Sequence, residues 1–156
     1  MFNPKKRRGF SLIELLIVIA IILIIITIAM PKLQRAQIAA RDMAALQTIK
    51  TLHAAQVQYY SQYGKYASTL AELGPPASGA PSAAAADLIG NDVAGGEKQG
   101  YKITVTGNPG GYVIVASPVN FNSSGSKNFY SDQTMTIHEN DGPELATPQS
   151  KEIGAH

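Results

Sequence analysis

The pattern of apolar and polar positions changes character three times along the chain. From Phe10 to Met30 it reads FSLIELLIVIAIILIIITIAM, 21 residues with a single charge, Glu14. Such a run has no polar face to show to water, so it predicts a membrane helix. At 1.5 Å per residue that helix covers about 31 Å, enough for a bilayer core. Pro31 removes a backbone donor and crowds the carbonyl of Thr27, which predicts a kink near Thr27–Pro31. Residues 32–64 are periodic instead. Leu33, Ala36, Ala40, Met43, Leu46, Ile49, His53, Val57 and Tyr60 recur at steps of three and four, the stripe of an amphipathic helix continuous with the first, and Gly64 is its predicted terminator.

Beyond Gly64 the period shortens to two. Residues 74–87 (GPPASGAPSAAAAD) are rich in Pro, Gly, Ala and Ser and read as a connection, with a short helical turn expected over Ala83–Leu88. Tyr101, Ile103 and Val105 alternate with Lys102, Thr104 and Thr106 as in a half-buried strand, and the turn residues 107–111 lead to a second strand over Tyr112–Ser117. Asn128–Ser131 and Thr134–Glu139 supply two more. The fold class expected is α+β: one long N-terminal helix, half transmembrane and half amphipathic, against a small antiparallel sheet of three or four strands. Its segments are residues 1–9, 10–31, 32–64, a head over 65–139, and an exposed tail over 140–156.

Composition adds two constraints. At 156 residues the chain supports one small domain with an appendage. It has no cysteine, so the head must be held by packing, without disulfides or thiolate metal sites. Charge matters through its placement. Lys5, Lys6, Arg7 and Arg8 are four of the 13 basic residues, and the 9 that remain face 11 acidic ones, a net of −2. The basic pI therefore reports an N-terminal cluster and implies no nucleic-acid binding. That cluster directly precedes the apolar run, so the positive-inside rule keeps residues 1–9 cytoplasmic and places the head outside.

Glu14 carries the candidate chemistry. A carboxylate inside a membrane helix costs about 2.5–3.5 kcal/mol on insertion scales and calls for a cationic partner or a polar cavity. A cleaved secretory signal and a plain signal anchor both leave it unexplained, and Ala29-Met30-Pro31 suits a small-x-small cleavage site poorly. A cut between Gly9 and Phe10 would create an α-amino group four residues before Glu14, on the same helix face. Gly9 offers a protease no side chain to work around.

The stretch KKRRGFSLIELLIVIAIILIIITIAMP resembles the class III signal of type IV prepilins and the related pseudopilins. In that resemblance Gly9 precedes the cut, Phe10 is the first mature residue, Glu14 the fifth, and Pro31 the proline near the end of the apolar helix. It implies cleavage and N-methylation of Phe10 by a prepilin peptidase. It also implies pairing of Glu14 with the Phe10 amine of a neighbouring subunit, which sets axial register. Leu23 stands where many pilins have glycine, which leaves the extent of helix melting between Leu23 and Pro31 open. YYSQYGKYASTLAEL resembles the stretch after the long helix of pilins and major pseudopilins, with Ala67 in place of a common proline, and F-Y-x-D-Q-T resembles pilin heads.

Other residues invite chemistry less. His53 reads as a half-buried packing residue, and Tyr59, Tyr60, Tyr63 and Tyr66 as amphipathic packing of the helix end rather than a conductive chain. Asp87, Asp92 and Glu97 lack the dense alternation of a calcium loop. Asn122-Ser123-Ser124 fits a glycosylation sequon by composition alone. There is no GxSxG elbow, HExxH or phosphate loop, so neither an enzyme nor a cofactor or metal site is expected. The leading expectation is a structural pilus subunit serving adhesion, motility or DNA uptake. It would be stored in the inner membrane and polymerised with itself through its N-terminal helix into an extracellular filament. The partners implied are the prepilin peptidase and the pilus assembly platform with its ATPase. A type II secretion pseudopilin remains the alternative, and a membrane-tethered binding module a third reading.

Overall fold

The computed structural model describes residues 9–154. Lys5–Arg8, the cluster expected to orient the chain, lie outside the described residues. The chain divides into two compact units, Met1–Ala36 and Gln37–His156. Helix α1 (Leu12–Tyr63) begins in the first and ends in the second.

In the first unit the apolar run is helical throughout, with Pro31 inside the helix. Its large apolar side chains are exposed, from Leu12 through Met30. It is long and apolar enough to cross a membrane. The Thr27 hydroxyl donates to the Ile24 carbonyl at 2.8 Å, satisfying its polar group within the helix.

The second unit packs the C-terminal part of α1 against a sheet in the order β1-β2-β3-β4-β5-β6, every neighbouring pair antiparallel. The strands are β1 (Glu97–Lys98), β2 (Tyr101–Asn108), β3 (Gly111–Pro118), β4 (Asn128–Asp132), β5 (Ile137–Asn140) and β6 (Lys151–Glu152). Ile49, Leu52 and Tyr59 of α1 meet Tyr101, Ile103, Tyr112, Ile114 and Phe129 of the sheet, all at 1% exposure or less. Fully burying an aliphatic side chain of this size contributes about 1.5–3 kcal/mol, so this face carries most of the head's stability. Two four-residue helices, α2 (Leu70–Leu73) and α3 (Asn91–Ala94), seal one end with Leu70, Leu73 and Val93. Gly107 is required where the connection crosses β2, because a Cβ there would sit 2.5 Å from the Ala67 carbonyl oxygen.

The α+β class and the antiparallel packing agree with the sequence pattern, and several details differ. The sheet has six strands rather than three or four, because two-residue β1 and β6 are too short to show a period. The helical turn expected over Ala83–Leu88 is absent; Ser82 and Ala85 form an isolated bridge there. The buried face of α1 runs through Asp42, Ala45, Ile49, Leu52, Gln56 and Tyr59, rotated from the expected stripe, and Met43, Val57 and Tyr60 are exposed. Hydropathy misplaced that face because it includes buried, hydrogen-bonded polar residues that lie off the expected stripe: Asp42, Thr48 and Gln56. The tail expected over 140–156 is described as far as residue 154, and that part is less loose than expected, since β6 pairs with β5 and Ala146 is buried. Gly64 does end α1, in the left-handed region at φ 69°, with its N–H on the Tyr60 carbonyl at 2.9 Å.

Candidate functional site: the N-terminal helix end and its anchoring in the head

Gly9 and Phe10 precede the first turn of α1, both exposed, and a Cβ on Gly9 would meet nothing within 4 Å. Among the described residues nothing crowds Gly9 at the peptide between them. Ser11 sits just before the helix. Glu14 folds back so that its Oε2 accepts the Ser11 amide at 2.8 Å, while the Leu15 N–H donates to the Ser11 carbonyl at 3.2 Å. This is the glutamate half of a capping box, in which a carboxylate at the third helical position serves the orphan N–H of the cap residue. The negative charge also lies at the positive end of the helix dipole. Ser11-Leu12-Ile13-Glu14 spells the S-x-x-E pattern in the sequence, a signal the hydropathy reading passed over. The second carboxylate oxygen makes no hydrogen bond among the described residues and can take a further donor. Pro31 lies seventeen residues on, within the same helix and apart from this end.

In the head, buried polar side chains fix how α1 seats on the sheet. His53, 6% exposed, has Nδ1 2.7 Å from the Tyr112 hydroxyl and Nε2 2.8 Å from Ser131 Oγ. Ser131 spends its own proton on the Thr136 carbonyl at 2.7 Å, so it accepts from His53. Nε2 therefore carries a proton, and because burial disfavours a second one, Nδ1 accepts from Tyr112. Burial pushes the His53 pKa down, only partly opposed by Asp132. Burial likewise pushes the Tyr112 hydroxyl up, to about 12. The Asp42 carboxylate accepts the Tyr101 hydroxyl at 2.6 Å, the Ser126 amide at 3.0 Å and the Ser126 hydroxyl at 2.6 Å. Burial and then this bond to Asp42 raise the Tyr101 pKa far above the usual phenol range. Gln56 clamps both backbone groups of Ala67, donating to its carbonyl at 3.0 Å and accepting its amide at 2.9 Å. At the other edge Glu139 takes Lys127 at 2.7 Å and Lys151 at 3.0 Å, which ties β6 to the sheet.

The tyrosines act as packing groups. Tyr59 donates to the Ala83 carbonyl at 2.6 Å, and Tyr66 stacks between Tyr60 and Tyr112 with ring centroids 4.7 and 5.0 Å away. The three acidic residues weighed for calcium are not brought together as ligands. Asp92 is engaged by Lys98 at 2.9 Å, and among the described residues no group of three or more His, Asp or Glu is placed to hold a metal.

Residues 4–30 match the family model described as the prokaryotic N-terminal methylation motif, the segment that contains Gly9, Phe10 and Glu14. The chain carries the prokaryotic N-terminal methylation motif. It is also 39% identical over 73 residues to the type IV major pilin protein PilA of Myxococcus xanthus (strain DK1622). That match covers 47% of this chain and 33% of the relative, so the chain aligns with about a third of that pilin's length. No solved structure matches. The matched segment includes the exposed residues Gly9 and Phe10 and, within the apolar run that follows, the single charge Glu14.

Proposed function

We propose that this chain is the structural subunit of a type IV pilus. It is held in the inner membrane as a single-pass precursor, cut between Gly9 and Phe10 by a prepilin peptidase, methylated on the Phe10 amine, and polymerised by an assembly platform with its ATPase. The observation that carries this reading is Glu14: a carboxylate one turn into an apolar helix, satisfied on one oxygen by its own cap and open on the other. A neighbour's Phe10 amine is the cation it lacks, and pairing the two would fix axial register. Exposure of every large apolar residue from Leu12 to Met30 supports the same reading, because those side chains need lipid before assembly and other copies of the helix after it. Apolar burial is already satisfied in the bilayer, so packing and the charge pair drive the exchange. Pro31 would supply the bend that lets the helix follow the filament axis. The similarity to a major pilin favours a pilus over a secretion pseudopilus.

Glu14→Val tests this. The variant is expected to insert and to be cleaved normally, because neither step uses the carboxylate, and to give at least about a tenfold loss of filaments, roughly the weight of one pairing of 1.4 kcal/mol. Immunoblotting of membrane and sheared fractions reads both quantities. Wild-type filament yield from the variant would remove the pairing role.

A further inference from the structure

Two exposed features of the head, one apolar with a lysine and one apolar with a glutamate, lie at opposite ends of β5. The first is a groove of about 700 Å³ between α1 and the turn that leads into β5. Ala54 and Val57 form one wall, Met135 and Ile137 the other, and Lys50 stands at its rim. A second hollow, shared through Lys50, Met135 and Ile137, continues it toward Glu152. Val57 and Met135 remain 48% and 52% exposed, although both are large and apolar. Met135 is held there at φ 63°, an uncommon conformation for a side-chain-bearing residue, by a turn in which Asp132 accepts from the amide and hydroxyl of Thr134. Lys50 makes no ion pair among the described residues.

The second feature is the loop Gly142-Pro143-Glu144-Leu145-Ala146, which follows β5. It is rigid for a surface loop. Asn128 donates to the Gly142 carbonyl at 2.8 Å, Asn140 donates to the Glu144 carbonyl at 3.1 Å and accepts the Gly142 amide at 3.0 Å, and Ala146 is buried as its root. The loop holds Leu145 outward at 58% exposure, with the Glu144 carboxylate beside it and in no ion pair among the described residues. A pre-organised apolar knob flanked by a carboxylate suits a pre-organised apolar groove rimmed by an ammonium, and little ordering entropy opposes their contact.

We propose that the Glu144-Leu145 knob of one copy docks into the Val57–Met135 groove of the next, with Glu144 on Lys50. Knob and groove are different surfaces of the same chain, so the contact is heterologous. Repeated without closure, it builds an open helical array rather than a symmetric dimer. This assigns the head a specific lateral contact in the filament and rests on the filament reading above. It also accounts for the exposure of Val57, which the apolar period places on a buried stripe.

The chain has no cysteine, so an engineered pair reports cleanly. In the full-length protein, filaments of Val57→Cys/Leu145→Cys should yield disulfide-linked ladders on mild oxidation, whereas either single variant should run as monomer. Lys50→Glu and Glu144→Lys should each lower sheared filament several-fold, and the double reversal should restore it. Filaments that form normally while the cysteine pair stays monomeric, or a double reversal no better than either single change, would overturn the contact and leave the filament reading intact. An unaltered chain that is cleaved but never appears outside the cell would overturn the filament reading, and this contact with it.

Discussion

At the scale of single residues, His53 couples the seating of α1 to pH. Its ring is neutral in the folded head, accepting from Tyr112 and donating to Ser131. Burial holds its pKa below the ordinary 6.5, so on acidification the unfolded chain takes up a proton before the folded one does. The stability His53 contributes is therefore complete above pH 6.5 and falls as pH drops from 6.5 through the lowered folded value. Glu139 and Asp132 behave similarly at more acid pH. Burial opposes ionisation of each, but bonds from Lys127 and Lys151, and from Thr134, outweigh it and hold both below the usual carboxylate range. Between about pH 5 and 6.5 the slope belongs to His53. Urea unfolding of the processed chain in detergent should show stability rising with pH across that window, and His53→Gln should flatten the rise. Leaving Tyr112 or Ser131 without its partner should also cost the variant about 1–3 kcal/mol at pH 7.5. An unchanged slope in the variant would contradict the assignment.

At the scale of elements, the strands were legible where alternation was strict. Tyr101, Ile103 and Val105 face the core in β2 as their spacing requires. The helix was legible as an element but not in its azimuth. Its true inner face includes Asp42 and Gln56, whose worth depends on partners 84 and 11 residues away in the chain, which no local period can display. The expected strand over Thr134–Glu139 begins only at Ile137 for a similar reason: the Asp132–Thr134 turn and the left-handed Met135 consume its first half. Edge strands β1 and β6 depend on backbone pairing more than on side-chain pattern. The Asp42 tether makes a prediction at this scale. All three bonds are strengthened by the carboxylate's charge. An amide keeps Oδ1 for Tyr101 and the Ser126 amide but loses that charge, and it forces the Ser126 hydroxyl to turn from donor to acceptor. Asp42→Asn should cost about 1–3 kcal/mol and speed amide hydrogen exchange in residues 120–127, with the sheet still protected. Equal exchange in both proteins would show that the loop is held by other contacts, such as Arg41 on the Ser123 carbonyl at 3.1 Å.

At the scale of the whole molecule, the candidate site rests on the sequence itself, because its signal is chemical and local. Gly9, Phe10, Glu14 and Pro31 stand out against an apolar background that makes any exception visible. The Ser11 cap on Glu14 was spelled in the same stretch but needed the folded backbone to give it meaning, since only a helix beginning at Leu12 puts the carboxylate on the Ser11 amide. Groove and knob were not legible: they are assembled from residues 50–57, 135–137 and 144–145, and their exposure is a property of the packed chain. Together the two proposals give the subunit an axial contact through its helix and a lateral one through its head. The most direct test of the central claim is mass spectrometry of filaments sheared from the cell surface. The account predicts an N-terminal peptide that begins at Phe10 and carries one methyl group on its amine. Recovery of the protein only from membranes, with residues 1–9 still attached, would contradict it.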